Sequence, residues 1–319
     1  MRHSQERSEL RSRIPRSADG LTLLDYLTSR FRYRDREGWL AEIEAQRLLV
    51  DGRPITGSTR LRSGRELCYL RASSPEPYVD RSFVVLHEDE TLLAVDKPAH
   101  LPMHADGPFA RSTLVQLVRE HTGSAAWGLV HRLDRETSGV VVLAATADAR
   151  RSLQQQWHAG TVAKTYHAIV RGHVAAPFTV DLPIGRSRDS SISLRRAAGS
   201  AAVDPLPACT HFTPEAHGLG VTLLRCEPTT GRTHQIRVHL EAHGTPILGD
   251  KLYGRPDHDY LAFVAAVKQN GDGRTAAPGE PDRQLLHASE LRLQHPSHGE
   301  PLRLLAPMPA AFAAALASS

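Results

Sequence analysis

The stretch GLVHRLDRETSGVVVL, running from Gly128 to Leu143, decides how the rest of this chain is read. Its first half is polar and charged, with His131, Arg132, Asp134, Arg135 and Glu136 close together. Its second half, Val140 to Leu143, is an unbroken apolar run of the kind a sheet buries on both faces. The His-Arg-Leu-Asp segment is therefore expected on a loop that feeds a buried strand. Gly139 at the junction would relieve backbone strain there. A loop backed by a rigid strand is a good mount for a reactive side chain. Taken alone, Asp134 reads first as a turn-capping carboxylate ahead of Thr137, Ser138 and Gly139.

Working outward, further short apolar runs alternate with turns: Phe83 to Leu86, Leu92 to Val95, Thr165 to Val170 and Val221 to Cys226. A helix is expected from near Thr233, with Ile236 and Leu240 on one face and Gly244 and Pro246 ending it. Strand-rich text with scattered helices predicts an α+β fold built on a mixed, largely antiparallel sheet. Two stretches read as irregular insertions, Arg186 to Pro207 and Asp257 to Arg283. The arginines of the first, Arg186, Arg188, Arg195 and Arg196, read as solvated loop charges with the capacity to grip a polyanion.

Upstream, an amphipathic run at Leu21 to Leu27 and a second helical run from Trp39 to Gln46 precede turn signals at Asp51-Gly52-Arg53-Pro54 and Ser63-Gly64. Ser73-Ser74-Pro75-Glu76-Pro77 has the composition of a linker. The expected layout is a flexible tail over 1–17, a small α/β unit over 18–74, a linker over 75–80, a large domain over 81–312 and a frayed end over 313–319.

At roughly 100–200 residues per domain, 319 residues make about two units, with enough chain for a sizeable core. The three cysteines, Cys68, Cys209 and Cys226, show no C-x-x-C spacing and suit a reducing cytosol, so a cytoplasmic location is expected. No run approaches the roughly 18 apolar residues that cross a bilayer, so no membrane role is expected. The net charge of +4 permits a polyanionic partner without requiring one. Only Lys97, Lys164, Lys251 and Lys268 are lysines, so arginine, which stacks on bases and forks onto phosphates, dominates the basic side chains.

The segment HRLDRETSG resembles the H-R-L-D-x-x-T-S-G signature of RluA-type RNA pseudouridine synthases across all nine positions. LLAVDKPAHLPMH, Leu92 to His104, is similar to that family's V-x-K-P-x-G-x-x-V-H segment, with His100 where glycine is usual. AKTYHAIVRG, from Ala163, resembles its K-x-Y strand, and GRTHQIRVHLEAHGTPILGDKLYG, from Gly231, its G-R-x-H-Q-[IL]-R block. LLHASELRLQHP, from Leu285, is similar to its C-terminal strand pair. The N-terminal unit resembles the small RNA-binding domain named after ribosomal protein S four, with Arg47, Arg53, Arg60, Arg62 and Arg65 as its basic face.

The resemblance implies a catalytic domain with a central active-site cleft. It implies Asp134 as the catalytic carboxylate, Arg237 as its basic partner and Tyr166 as the ring that stacks on the target uracil. It further implies Leu286 as an apolar wall, Arg132 as the residue that helps displace the target nucleotide, His131 beside it, and Arg232 and His234 along the RNA-facing rim. The partner implied is structured RNA, ribosomal or transfer, with no obligate protein partner and a monomer expected. Isomerisation of uridine imports no group, so no cofactor and no metal are expected.

Two other classes compete. A catalytically inactive RNA-binding protein of the same fold would not need acid, ring and arginine together. A metal hydrolase is suggested by His239 and His243 at i, i+4, but no H-E-x-x-H or third-ligand pattern accompanies them.

Overall fold

The computed structural model describes residues 8–31, 34–71, 76–105, 109, 111–270 and 280–317. The chain forms two compact units, Met1–Glu76 and Pro77–Ser319.

In the first unit, helix Leu23–Arg30 starts at Thr22, whose hydroxyl accepts from the Asp25 N–H, and helix Arg36–Glu44 starts at Asp35, whose carboxylate accepts from the Gly38 N–H. Their apolar faces, Leu23, Leu27, Trp39 and Ile43, close over Leu48, Leu61 and Leu67. The sheet beneath runs Ser8–Arg13, Glu66–Arg71, Leu48–Val50, Arg53–Pro54. Ser8–Arg13 was expected in a flexible tail. Instead it pairs antiparallel along Glu66–Arg71, supplying that edge with backbone partners, and Ile14 follows it into the core at 2% exposure. Arg53, Arg60, Arg62 and Arg65 are exposed, but Arg47 is half-buried and paired with Glu42 at 3.1 Å.

In the second unit, the described residues form a ten-stranded sheet that is mixed and largely antiparallel, eight strands in one row with Pro301–Leu305 pairing off Leu286–Gln294 and Gly128–Leu129 off Ser138–Ala144. Its order is Phe178–Asp181, Cys209–Gly218, Val221–Pro228, Ala163–Arg171, Leu286–Gln294, Ser138–Ala144, Leu92–Lys97, Val84–Glu88. Neighbours are antiparallel except at one place, where Leu286–Gln294 meets Ser138–Ala144 in a short parallel register, His287 opposite Ser138 and Ala288 opposite Gly139. This join divides the sheet into two halves, and Asp134 lies just before it. Gly139 is obligatory here: its φ is +113°, and a Cβ would stand 2.1 Å from the Ala288 carbonyl oxygen.

Every residue of Ser138–Ala144 is buried, because both faces of that strand are covered. Helix Leu114–Thr122 packs Leu114, Leu117 and Val118 with Leu93, Val95, Val141 and Leu143 on one face. Helix Ala147–Ala159 packs Ala149 and Leu153 with Leu92, Val140 and Val142 on the other. Across the join, helix Gln235–Ala242 sets Ile236 and Leu240 against Ala168, Phe212 and Leu224. At about 1.5–3 kcal/mol for each buried aliphatic side chain, these contacts hold the helix in a fixed place over the sheet.

Both stretches read as irregular insertions are ordered in part. Ile184–Ser187, Arg196–Ala198 and Ala202–Leu206 make a small three-stranded sheet, and Asp257–Asn270 is a helix. Arg195 is no solvated loop charge: its guanidinium pairs with Glu241 at 2.6 Å and Asp257 at 2.9 Å, tying the two stretches to the Gln235–Ala242 helix. Residues 271–279 of the second stretch lie outside the described residues. Val79, placed in the linker by its composition, is buried in the core of the second unit. Of the end expected to fray, 313–317 complete helix Ala310–Ala317, anchored by the fully buried Phe312, and 318–319 lie outside the described residues.

Candidate active site

Every residue singled out for the site lines one cleft of about 280 Å³: His131, Arg132, Asp134, Tyr166, Arg232, His234, Arg237 and Leu286. They come from both halves of the sheet and from the Gln235–Ala242 helix, so only the folded unit assembles them. Asp134 is carried by the loop before the sheet join, Tyr166 by strand Ala163–Arg171 and Leu286 by strand Leu286–Gln294.

The centre of the cleft is an ion pair, with Arg237 Nη1 donating to Asp134 Oδ2 at 2.7 Å. Gln284 Nε2 lies 3.5 Å from the same oxygen and donates to Thr137 Oγ1 at 2.8 Å, bracing the loop. Burial pushes the Asp134 carboxyl up, but His234, Arg237 and the hydrogen bonds from Arg237 and Gln284 hold it well below the usual carboxylate range. His234 is itself pulled down to about 4 by burial, so at neutral pH it is uncharged. Arg237 then carries the work of keeping Asp134 ionised.

Glu241, four residues on along the helix, pairs with Arg195 and leaves Arg237 to other partners. Arg237 holds a second carboxylate, Asp250, with Nε to Oδ2 at 2.7 Å and Nη2 to Oδ1 at 2.9 Å. Asp250 Oδ1 also accepts from the Leu252 and Tyr253 N–H groups at 2.8 and 3.0 Å. Its Gly-Asp position was legible in the GTPILGDKLYG motif, but nothing local marked it as a partner of Arg237.

The other residues divide by how they are held. Tyr166 has its hydroxyl pushed up by burial and by the Asp134 charge, so it stays protonated. Arg132 is exposed at the mouth, and Arg232 is half-buried with Nε donating to the Pro207 carbonyl at 3.0 Å. His234, expected on the rim, turns inward: its side chain is 6% exposed, Nδ1 lies 2.7 Å from the Tyr253 hydroxyl and Nε2 lies 3.7 Å from Asp134. It sits at φ +58°, a left-handed cap that the resembled motif did not announce. His131 accepts the Val142 N–H at Nε2 (3.0 Å) and stacks on Trp157, and burial pulls it down to about 3, so the ring is neutral.

Beneath the site, Lys97 is wholly buried and donates to the carbonyls of Pro98, Leu101 and Arg135 at 2.8, 3.0 and 3.1 Å. It pins the Asp134 loop to the Pro98–Leu101 turn. Within that turn His100 has φ +61°, the left-handed conformation for which glycine is the ordinary choice. The two candidate metal ligands diverge: His239 is held by Thr210 Oγ1 and the Leu182 carbonyl, whereas His243 stacks on Phe178. Among the described residues, the group spaced to hold a metal ion is His87, Asp89 and His295, on strand ends away from the cleft.

The profile of the family described as RNA pseudouridylate synthase matches residues 91–242, which include the Asp134 loop and the Arg237 helix. A ribosomal large subunit pseudouridine synthase D of Nitrosomonas europaea is 32% identical over 314 residues, 95% of this chain and 86% of the relative. The protein of the same name from Xanthomonas campestris is 34% identical, over 93% of this chain and 88% of the relative. Among solved structures, human RNA pseudouridylate synthase domain containing 4 aligns with a TM-score of 0.54 at 31% identity, covering 72% of this chain and 90% of that one. The cleft built around Asp134 thus lies in a chain that belongs to the RNA pseudouridine synthase family.

Proposed function

We propose that Asp134 is the carboxylate through which this chain converts uridine to pseudouridine, with Arg237 keeping it charged and Tyr166 and Leu286 clasping the uracil. The reaction breaks the bond from ribose C1′ to uracil N1 and remakes it to C5. The C5 proton is released and N1 gains one, so no electrons and no outside group are needed. An anion beside the ribose, a ring to hold the detached base and an enclosure suffice, and no cofactor enters the reading.

What carries this reading is the 2.7 Å contact between Arg237 and Asp134 inside a cleft that also holds the Tyr166 ring. The glycosidic bond is closed off in a stacked helix, so the uridine must turn out, at a cost of a few kcal/mol. Arg132 and Arg232 give the mouth its positive charge for the displaced backbone, while His131 and His234 shape the wall behind. Relatives named for the large ribosomal subunit favour a ribosomal RNA target over transfer RNA. We place the enzyme in the cytoplasm, acting as a monomer. The arginines Arg53, Arg60, Arg62 and Arg65 support an RNA-binding role for the first unit.

The test is the full chain on unmodified large-subunit rRNA transcript, with pseudouridines mapped by carbodiimide-stop sequencing. Asp134→Asn is expected to lose at least about a thousandfold in rate, with RNA affinity kept within about threefold because its phosphate contacts lie elsewhere. An unaltered rate would remove Asp134 from the chemistry. Modification of tRNA but not rRNA would move the target.

A further inference from the structure

The cleft has a second lobe. A cavity of about 230 Å³ opens on the other side of the Asp134 loop, and Arg132, Leu133, Asp134, His234 and Arg237 line both. One layer of side chains therefore separates the two spaces. Whatever enters the second lobe while a uridine occupies the first must be close to that uridine in the RNA.

The walls of the second lobe differ from those of the first. Leu194, Tyr260 and Phe263 give it an apolar, aromatic side. Tyr260 and Phe263 stand one helical turn apart on helix Asp257–Asn270, ring centroids 6.2 Å apart and tilted by 42°. Its polar side is an ion pair, Lys251 Nζ donating to both oxygens of Glu136 at 3.0 Å. Lys251 Nζ also lies 5.2 Å from the Phe263 ring centroid, so the aromatic and charged sides face one small space. Glu136 is held in turn by the Gln284 N–H at 3.1 Å, which orients the pair. Neither aromatic side chain is fully covered. Phe263 stands outside the buried core clusters, and a partly exposed aromatic side chain beside the Asp134 loop calls for a reason.

We infer that this lobe is a base-binding subsite, taking the unstacked base of a nucleotide adjacent to the target uridine against the Phe263 ring. Three observations converge on a base. A flat heterocycle is the part of RNA that gains from an aromatic face, since every base has a π surface. The space is closed on one side by the Glu136–Lys251 pair, whose ammonium is also held by the Asp282 carbonyl at 2.6 Å and whose carboxylate would be a poor neighbour for a second phosphate. Arg132, exposed and shared by both lobes, stands where the phosphate joining the two nucleotides would pass. The Asp257–Asn270 helix lies beyond residues 91–242, the span the family profile matches, so this subsite is a candidate source of the chain's own target preference. The inference rests on the pseudouridine-forming reading of the first lobe.

The experiment uses the full chain and a synthetic RNA hairpin around the uridine mapped in rRNA, made with normal bases or with an abasic residue on the 5′ or the 3′ side. Wild-type enzyme, Phe263→Ala and Phe263→Trp are each compared on all three RNAs for kcat and KM. Phe263→Ala is expected to weaken kcat/KM about tenfold on the normal RNA, the size of one lost base stack, and Phe263→Trp to restore it. One abasic RNA should weaken wild type by a similar factor and cost Phe263→Ala nothing further. An unaffected Phe263→Ala overturns the subsite. So do penalties from variant and abasic residue that multiply as independent losses, and so does failure of tryptophan to rescue. Wild type inactive on the normal hairpin would instead count against the reading of the first lobe.

Discussion

Arg237 meets Asp250 edge-on, Nε to Oδ2 at 2.7 Å and Nη2 to Oδ1 at 2.9 Å, and this fork leaves Nη1 to reach Asp134 at 2.7 Å. One guanidinium thus serves two carboxylates, the half-buried Asp134 that faces the cleft and the buried Asp250 that does not. Asp250, with a side chain fully shielded from solvent, sets the angle at which the arginine presents itself.

Asp250→Asn keeps the oxygen that accepts from Leu252 and Tyr253 but breaks the fork. We expect kcat to fall about a hundredfold through misplacement of Arg237, with KM for RNA little changed because Asp250 touches no solvent. Steady-state kinetics on one hairpin substrate separates the two constants. A raised KM with normal kcat would mean that Asp250 shapes the RNA surface instead.

Lys97 is wholly buried, and burial pulls its ammonium well below the ordinary lysine range, yet it donates to three carbonyls at once. Lys97→Met fills the space but leaves those carbonyls unpaired, each costing about 1–3 kcal/mol. The variant should unfold at clearly lower denaturant concentration and lose activity as the Arg135 end of the Asp134 loop loosens. Wild-type stability would show that water takes over the carbonyls.

Gly139→Ala tests the sheet join. Its Cβ would stand 2.1 Å from the Ala288 carbonyl at a φ of +113°, so either the parallel pairing opens or the backbone turns. We expect a loss of more than about 3 kcal/mol, combining strain with broken pairing, read from chemical denaturation or from failure to accumulate as soluble protein. A loss under about 1 kcal/mol would mean the join gives way easily.

Acid should weaken the fold before it reaches the carboxylates. Burial pulls His131 down to about 3, and His234 and His287 to about 4, against about 6.5 in an unfolded chain. Between those values the unfolded chain binds protons that the folded chain refuses. Stability then falls as pH drops, by up to about 1.4 kcal/mol per group per pH unit. Geometry gives the same sign: His131 Nε2 accepts the Val142 N–H, and Ser138 Oγ, facing His287 Nδ1, already accepts from Arg283. Asp134, held low in the folded protein, contributes stability that is lost only below its unfolded value of about 3.9. Urea midpoints should therefore be lower at pH 5 than at pH 7, and His287→Gln should flatten the difference. Equal midpoints would contradict it.

Parts of the molecule with local signals were legible in the chain alone. The Val140–Leu143 run announced a buried strand because four adjacent apolar side chains can be covered only inside a sheet. Arg237 was placed on a helix by the spacing of Ile236 and Leu240, and the nine-position match around Asp134 located the cleft. Less legible were the three-stranded sheet within Ile184–Leu206 and the helix Asp257–Asn270, whose mixed small, charged and apolar residues carry no clear period. Those elements persist because Arg195 of the first pairs with Glu241 and with Asp257 of the second, and because Leu252 packs with Ile184, Ile192 and Tyr260. It took the closed chain to bring Asp250 to Arg237, Lys97 to the Asp134 loop, and Tyr260 and Phe263 to Glu136 and Lys251 across a second lobe. Each of those is a meeting of side chains distant along the chain, and the energy that selects one partner over another comes from burial and the loss of water, which exist only once the chain has closed on itself.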